Sequence, residues 1–302
     1  MFPDIATCPS ADAPPCAGPL TSLLTPAVQL PPQACDCHFH ILGPADRYPY
    51  SPNRIYTPPD CLVPDYVALR NCLGLSRCVV VQPSVYGSDN TVLVETLRTM
   101  GDDARGVVVL DDTAGPGELA DLHALGVRGV RVNLVDVQRP GADLPVDRLL
   151  RLQERVAPLG WHLELLVPVD QHPDLYEALH RFDVPLVFGH MGYPTIGTPL
   201  THPGMAAMLA LMQEGRAWAK LTAPYRLETG EPPYHRAQTI ARWLVAQCPR
   251  QVVWGTDWPH VMVKTRMPHD VELLEVTAQW IEAPHLRHAI FAENPARLYQ
   301  WH

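Results

Sequence analysis

No apolar stretch in these 302 residues approaches the ~20 needed to cross a membrane as a helix. No block of Lys and Arg stands out against the formal net charge of −9, so neither nucleic acid nor a membrane is an expected partner. The excess of acid is a solvation property and names no partner by itself. The start, Met1-Phe2-Pro3-Asp4, lacks the positive region and apolar stretch of a secretory signal. A cytoplasmic protein is therefore expected, as a monomer or small homo-oligomer. Eight cysteines are present, yet none are paired at CxxC spacing. That argues against a zinc ribbon or a thioredoxin-type centre, and without a secretory context a disulfide framework is not expected either. Cys78 and Cys248 sit in apolar stretches and read as buried thiols. Cys37, between Asp36 and His38, has a metal role only as a minor alternative. No GxGxxG follows the first strand-like run, which removes the main support for an open nucleotide-binding sheet.

What is present is a large potential core, since 47% of the residues are hydrophobic. Residues 1–33 are rich in Pro, Ala and Ser, show no sustained period, and read as an N-terminal arm, either loose or packed over the rest. From Ala34 to residue 302 short apolar β-type runs alternate with longer amphipathic ones. Strands are expected at Ala34–Phe39, Arg77–Gln82, Gly106–Leu110, Gly129–Asn133, His162–Val167, Pro185–Gly189, Ala217–Thr222 and Gln251–Gly255. Runs such as Val79-Val80-Val81 suit parallel strands buried on both faces. Helices are expected at Pro64–Leu73, Asn90–Met100, Leu119–Leu125, Pro145–Leu159, Asp174–Phe182, His202–Glu214, Tyr234–Gln247 and Asp270–Trp280, with a last turn at Asn294–Tyr299. The early prolines and late glycines fall where helix ends need them. Eightfold strand–helix alternation implies an α/β fold with right-handed crossovers, a distorted (β/α)8 TIM barrel. An open doubly wound sheet is the alternative.

In a barrel the site forms at the C-terminal ends of the strands. Strand one ends in Asp36-Cys37-His38-Phe39-His40, and alternate residues share a face, so His38 and His40 are expected to point together into the mouth. Two such imidazoles suit a metal or a carbonyl oxygen, although two structural histidines would give the same spacing. Strand six ends at His190 between Gly189 and Gly192, and strand eight at Asp257 between Trp254 and Trp258. Desolvation beside tryptophan favours the proton-bound carboxyl, a neighbouring histidine or metal opposes it, and Asp257 is a candidate general base. Strand four supplies Arg128, Arg131 and Asn133, with Arg131 and Asn133 on the face toward the mouth. Arg131 and Arg226 are candidate forks for a carboxylate. Further donors lie in Gln82–Tyr86, including Ser84, and in the loop Tyr48–Tyr56, whereas Arg47 and Arg54 read as solvated charges. Glu164, among apolar neighbours on strand five, faces the centre or orients a ligand.

These residues carry a resemblance. His38-x-His40, His190 and Asp257 in Gly255-Thr256-Asp257-Trp258-Pro259-His260 resemble the amidohydrolase superfamily. The strings Asp36–Gly43, Arg47-Tyr48-Pro49-Tyr50, Arg54-x-Tyr56-Thr57-Pro58 and Val81-Gln82-Pro83-Ser84-x-Tyr86-Gly87-x-Asp89-Asn90 are similar to its 2-pyrone-4,6-dicarboxylate hydrolase branch. The resemblance spans Ala34 to Trp301 and implies a lactonase of aromatic-compound catabolism acting on a small acidic lactone. It implies that His38, His40 and His190 polarise the lactone carbonyl and that Asp257 activates water. It implies that Tyr56, Ser84, Arg131, Arg226 and His260 hold the substrate. It also implies no metal cofactor, because strand five lacks the histidine of metal-dependent relatives and strand four offers no bridging lysine or glutamate. The alternative is a single divalent ion, Zn2+, on His38, His40 and Asp257, with or without Glu164. Tyr193 stands where an arginine is expected for a dicarboxylate, and only Arg139 is at hand in Val135–Arg139. Other lactone chemistry stays open: sugar-acid lactone hydrolysis or isomerisation, sulfomuconolactone hydrolysis, or zinc-dependent decarboxylation. From another class, a non-catalytic ligand-binding barrel stays open too.

Overall fold

Short runs of Val and Leu set the strands of this chain, whose computed structural model describes residues 13–136, 143–228 and 231–301. The strands are β1 Cys35–Phe39, β2 Arg77–Val81, β3 Ala104–Val108, β4 Val127–Asn133, β5 His162–Leu166, β6 Leu186–Phe188, β7 Ala217–Leu221 and β8 Val252–Trp254. They pair in parallel and in sequence order. The crossover helices are α1 Val63–Leu73, α2 Thr91–Met100, α3 Pro116–Ala124, α4 Val146–Val156, α5 Leu175–Leu179, α6 Pro203–Gln213, α7 His235–Gln247 and α8 Asp270–Trp280. Then come α9 Pro284–His288, a π turn at Ala289–Glu293 and α10 Asn294–Leu298. This is the (β/α)8 barrel that the alternation implied, and the open doubly wound sheet is set aside.

Helix ends follow local chemistry. α1 has Pro64 in its first turn, Asp65 Oδ2 accepting from Leu62 N at 2.9 Å, and Gly74 at φ +73° to end it. β3 starts two residues before the expected Gly106, at Ala104. The segment α9 plus π turn is unforeseen, because it is shorter than the 11–18-residue window in which a helical period shows.

The β1–β8 seam has no regular ladder. A single bridge joins Phe39 to Trp258, with His40 N donating to Trp258 O (2.8 Å) and Asp257 N to His38 O (2.8 Å). The Asp36 carboxylate fills the gap. Its Oδ1 accepts from His38 N (3.0 Å) and Thr256 N (2.9 Å), and its Oδ2 from Thr256 Oγ1 (2.7 Å) and Tyr66 OH (3.0 Å). Burial still pushes the Asp36 carboxyl up to about 6. Gly255 makes the close approach possible, since a Cβ there would sit 2.7 Å from His38 N.

Two cores result. A large one lies between strands and helices. A second fills the lumen with Cys35, Cys37, Val79, Val81, Val107, Val187 and Val253, closed at the N-terminal end by Leu298 and Tyr299. Residues 13–33 lie against the rest of the chain: Thr57 N donates to Pro14 O (2.8 Å), and Ala27 N to Glu275 Oε1 (2.8 Å). Residues 1–12 are outside the described residues. Among the described residues no helix is long and apolar enough to cross a membrane, and the described cysteines form no disulfide, with Cys78 and Cys248 buried.

Candidate active site

Strand alternation in β1 breaks at an irregularity between Asp36 and Phe39. Cys37 and His38, though consecutive, therefore both reach the barrel interior, while Phe39 turns outward to stack on Tyr66 of α1 (centroids 3.5 Å apart). His38 and His40 meet edge to face at 5.0 Å, and His190 stands 5.3 Å from His38. The backbone at the mouth is unusual. His190, Ala223 and Asp257, just past β6, β7 and β8, hold left-handed φ of +48°, +50° and +63°. Such non-glycine conformations cost about 1–3 kcal/mol each and persist only where surroundings enforce them.

The four expected residues converge. Oδ1 of Asp257 faces three imidazole Nε2 atoms: His38 at 3.4 Å, His190 at 3.7 Å and His40 at 3.9 Å. Oδ2 is held from the other side by Tyr225 OH (2.7 Å) and by Arg226 Nε (3.2 Å) and Nη2 (3.1 Å). The far nitrogens of two rings are anchored as well, His40 Nδ1 on Val81 O (2.7 Å) and His190 Nδ1 on Thr222 Oγ1 (2.6 Å). All of these side chains except Arg226 are buried.

Burial sets the protonation of the histidines. It is the main cause that holds His38, His40 and His190 below the usual imidazole value; Lys220 adds to it at His38, and His38 and Arg131 add to it at His40. Burial alone would raise Asp257, as its flanking tryptophans suggested. The charge of Arg226 and the three histidines outweigh it and hold the carboxyl well below its usual range. The resting site is thus a carboxylate among neutral imidazoles.

The cleft above also takes Tyr56, Ser84, Arg131 and Tyr193 into its wall. Arg131 donates from Nη1 to Gln82 O (2.9 Å), while its Nε is buried without a hydrogen-bond partner among the described residues. A buried, unpaired guanidinium N–H suits an incoming acid group. Burial raises the Tyr56 phenol, against a hydrogen bond with Ser84. Arg226 spends Nε and Nη2 on Asp257 and Val261 O (2.9 Å), so it is first of all the partner that orients Asp257.

Several expectations change. His260 is fully buried behind Tyr225, its ring nitrogens facing Tyr225 OH (3.2 Å) and Asp270 Oδ1 (3.0 Å), so it supports the wall and does not reach the cleft. Glu164 is no ligand at the mouth: it lies beneath His38, 2.5 Å from Lys220 Nζ. Cys37 Sγ sits by Cys35 Sγ at 3.7 Å, and it is not in the His38, His40 and Asp257 cluster found among the described residues. Asn133 bonds Asp136 Oδ2 at 2.6 Å and caps a turn. Arg128 donates to His123 O (2.9 Å) and Val127 O (2.7 Å), and Arg47 pairs with Glu95 (2.9 Å) in solvent. Arg139 lies outside the described residues. Lys220, Tyr225, Asp36 and Asp270 were not singled out from sequence. Only Lys220 carries a signal, a charge within the apolar run Ala217–Leu221.

The donors of His38, His40 and Asp257 lie within 4.8 Å of one another, so one divalent ion would fit this set where each presents a lone pair. Among the described residues no second cluster of that kind completes a two-metal site. A wider groove beside Asp111, Asp147 and Arg151 brings no comparable groups together.

The amidohydrolase family matches residues 35–301. The 2-pyrone-4,6-dicarboxylate hydrolase of Comamonas testosteroni is 35% identical over 283 residues, covering 91% of this chain and 92% of its own length. The 4-sulfomuconolactone hydrolase of Hydrogenophaga intermedia is 32% identical, covering 95% of each chain. The ligand-free crystal structure of an Agrobacterium tumefaciens protein has a TM-score of 0.83 at 28% identity, covering 92% of this chain and 99% of that one.

Proposed function

The chain belongs to the amidohydrolase family, and from that premise we propose that it hydrolyses a lactone carrying at least one acid group. One observation carries the reading: three buried imidazoles converge on one oxygen of Asp257, whose other oxygen is tied to Tyr225 and Arg226. Relatives named for lactone hydrolysis add to it. We read residues 34–302 as the barrel and 1–33 as an N-terminal arm, of which residues 13–33 lie against the barrel.

A water between Oδ1 of Asp257 and the lactone carbonyl gives its proton to that oxygen as it attacks. A carboxylate held this low is a weak base for bulk water, so its contribution comes from placement against an activated ester. The carbonyl oxygen gains negative charge beside the histidines. One well-placed donor to such an oxyanion is worth about 3–4 kcal/mol. Collapse breaks the bond to the ring oxygen, which takes the proton from Asp257, leaving an open-chain acid and a hydroxyl. Arg131, Ser84 and Tyr56 hold the substrate's acid group and ring, while Arg226 and Tyr225 hold Asp257.

No cofactor is needed for these steps. A Zn2+ ion, where bound, would sit on His38, His40 and Asp257 and would supply Lewis-acid polarisation. The test is turnover of a panel of carboxylated, sulfonated and uncharged lactones by metal-stripped protein. Acid release from the charged rings is expected. Ring binding without turnover across the panel would overturn the reading in favour of a binding barrel.

A further inference from the structure

One charged side chain near the site has no part in the steps above. Lys220 of β7 is fully buried directly beneath His38. Its Nζ lies 2.7 Å from Cys37 O, 2.5 Å from Glu164 Oε2 and 3.1 Å from His38 Nδ1. An ammonium has three N–H donors and no lone pair. Cys37 O can only accept. Glu164 Oε2, at 2.5 Å, is the ion-pair partner of Lys220. The third N–H falls to His38 Nδ1, which takes it when the ring carries its proton on Nε2. His40 is the reverse: its Nδ1 faces Val81 O, an acceptor only, so its proton sits there and its Nε2 is bare. Nε2 of His38, 3.4 Å from Asp257 Oδ1, is buried without a hydrogen-bond partner among the described residues, and Nε2 of His40 stands 3.9 Å from the same oxygen.

We propose that Lys220 is a positioning residue that locks His38 as an Nε2–H donor. The His-x-His pair then offers one donor and one acceptor, a pattern that suits a carbonyl oxygen and an attacking water. The same lock withholds a lone pair that a metal ion would need. Glu164 Oε1 lies only 3.4 Å from His38 Nδ1. Without the lysine, Glu164 becomes the partner of Nδ1, draws the proton there and frees Nε2, which is the carboxylate–histidine–metal arrangement. Lys220 therefore decides whether this cluster binds a carbonyl or an ion. The inference rests on His38 acting as an oxyanion donor, and its test reads metal affinity and ring protonation, not turnover, so the two can fail separately.

Metal-stripped wild type, Lys220→Met and Lys220→Met/Glu164→Gln are titrated with Zn2+ by calorimetry. The His38 ring is read by 15N NMR, assigned by difference against His38→Asn. Lys220→Met is expected to bind Zn2+ on the order of 10-fold tighter or more than wild type, with the gain lost in the double variant. The His38 proton is expected on Nε2 in wild type and on Nδ1 in Lys220→Met. Equal affinities, or a wild-type His38 protonated on Nδ1, would overturn the proposal. Should Lys220→Met not fold, the wild-type ring spectrum decides alone.

Discussion

The two ends of the barrel lumen are built on opposite terms. At the floor, Cys35, Val79, Val107, Val187 and Val253 pack under Leu298 and Tyr299. At the mouth, a short distance along the same strands, buried polar groups crowd together and His190, Ala223, Asp257, His260 and Met262 hold left-handed backbone. The floor gains from apolar burial, while the mouth carries strain and desolvation that burial elsewhere must offset. Activity and stability should therefore respond to different substitutions, as barrel enzymes with sites at the C-terminal strand ends lead one to expect.

The largest break is expected at Asp257. Asp257→Asn removes the base yet keeps the shape, and kcat should fall by roughly 10²–10⁴ on any lactone the wild type opens. Circular dichroism should show the fold retained, and kinetics within threefold of wild type would contradict the role. Arg131→Met comes next. Losing a charged hydrogen bond of about 1.5–3 kcal/mol should lower kcat/KM by about 10- to 150-fold for a carboxylated lactone. An uncharged analogue should be much less affected, and an equal loss on both would make Arg131 a structural residue.

Acid should weaken the mouth, and also the floor, where burial lowers His162 beside Tyr299 to about 4. His38, His40 and His190 are held below the ordinary imidazole value of ~6.5, so below that pH the unfolded state binds their protons first. Their contribution is lost as pH falls through this window. Asp257, also held low, contributes fully above the unfolded value of ~3.9 and loses that as pH falls toward its folded value. Asp36, raised to about 6, has the opposite sign: the folded state binds its proton first, which adds stability as pH falls through 6. The denaturation midpoint in urea should therefore drop between pH 7.5 and ~5.5, and drop more steeply in Asp36→Asn, which lacks the opposing proton. A flat profile would mean that these rings titrate normally. The smallest effect is expected at the floor. Tyr299 OH is buried without a hydrogen-bond partner among the described residues, so Tyr299→Phe should change stability by less than ~1 kcal/mol and leave turnover intact.

Much of this molecule was legible as pattern. Valine runs gave the strands, prolines and glycines gave most helix ends, and strand-end position brought His38, His40, His190 and Asp257 to one place. What stayed hidden depends on contacts across the chain. The β1 irregularity changes which residues face inward, and nothing in Cys35–Phe39 announces it. Arg226 reads as a substrate fork until Asp257 is seen to occupy it, and His260 reads as a ligand contact until Tyr225 and Asp270 are seen to enclose it. Desolvation of Asp257 by tryptophan was a sound local argument, but a guanidinium 3.1 Å away reverses its outcome. Lys220 and Glu164 are an unremarkable pair in sequence, because their meaning comes from sharing one layer of the lumen with His38.

The central claim is that Asp257 and the three histidines act on a lactone carbonyl whose acid group rests on Arg131. A crystal structure of Asp257→Asn soaked with a carboxylated lactone tests it most directly, because the slow variant keeps the ring closed. The lactone carbonyl oxygen is expected within hydrogen-bond reach of His38 Nε2, and the carboxylate on Arg131. A ring seated away from the histidines, or an acid group held elsewhere, such as by Arg148 and Arg151 in the wider groove, would contradict it.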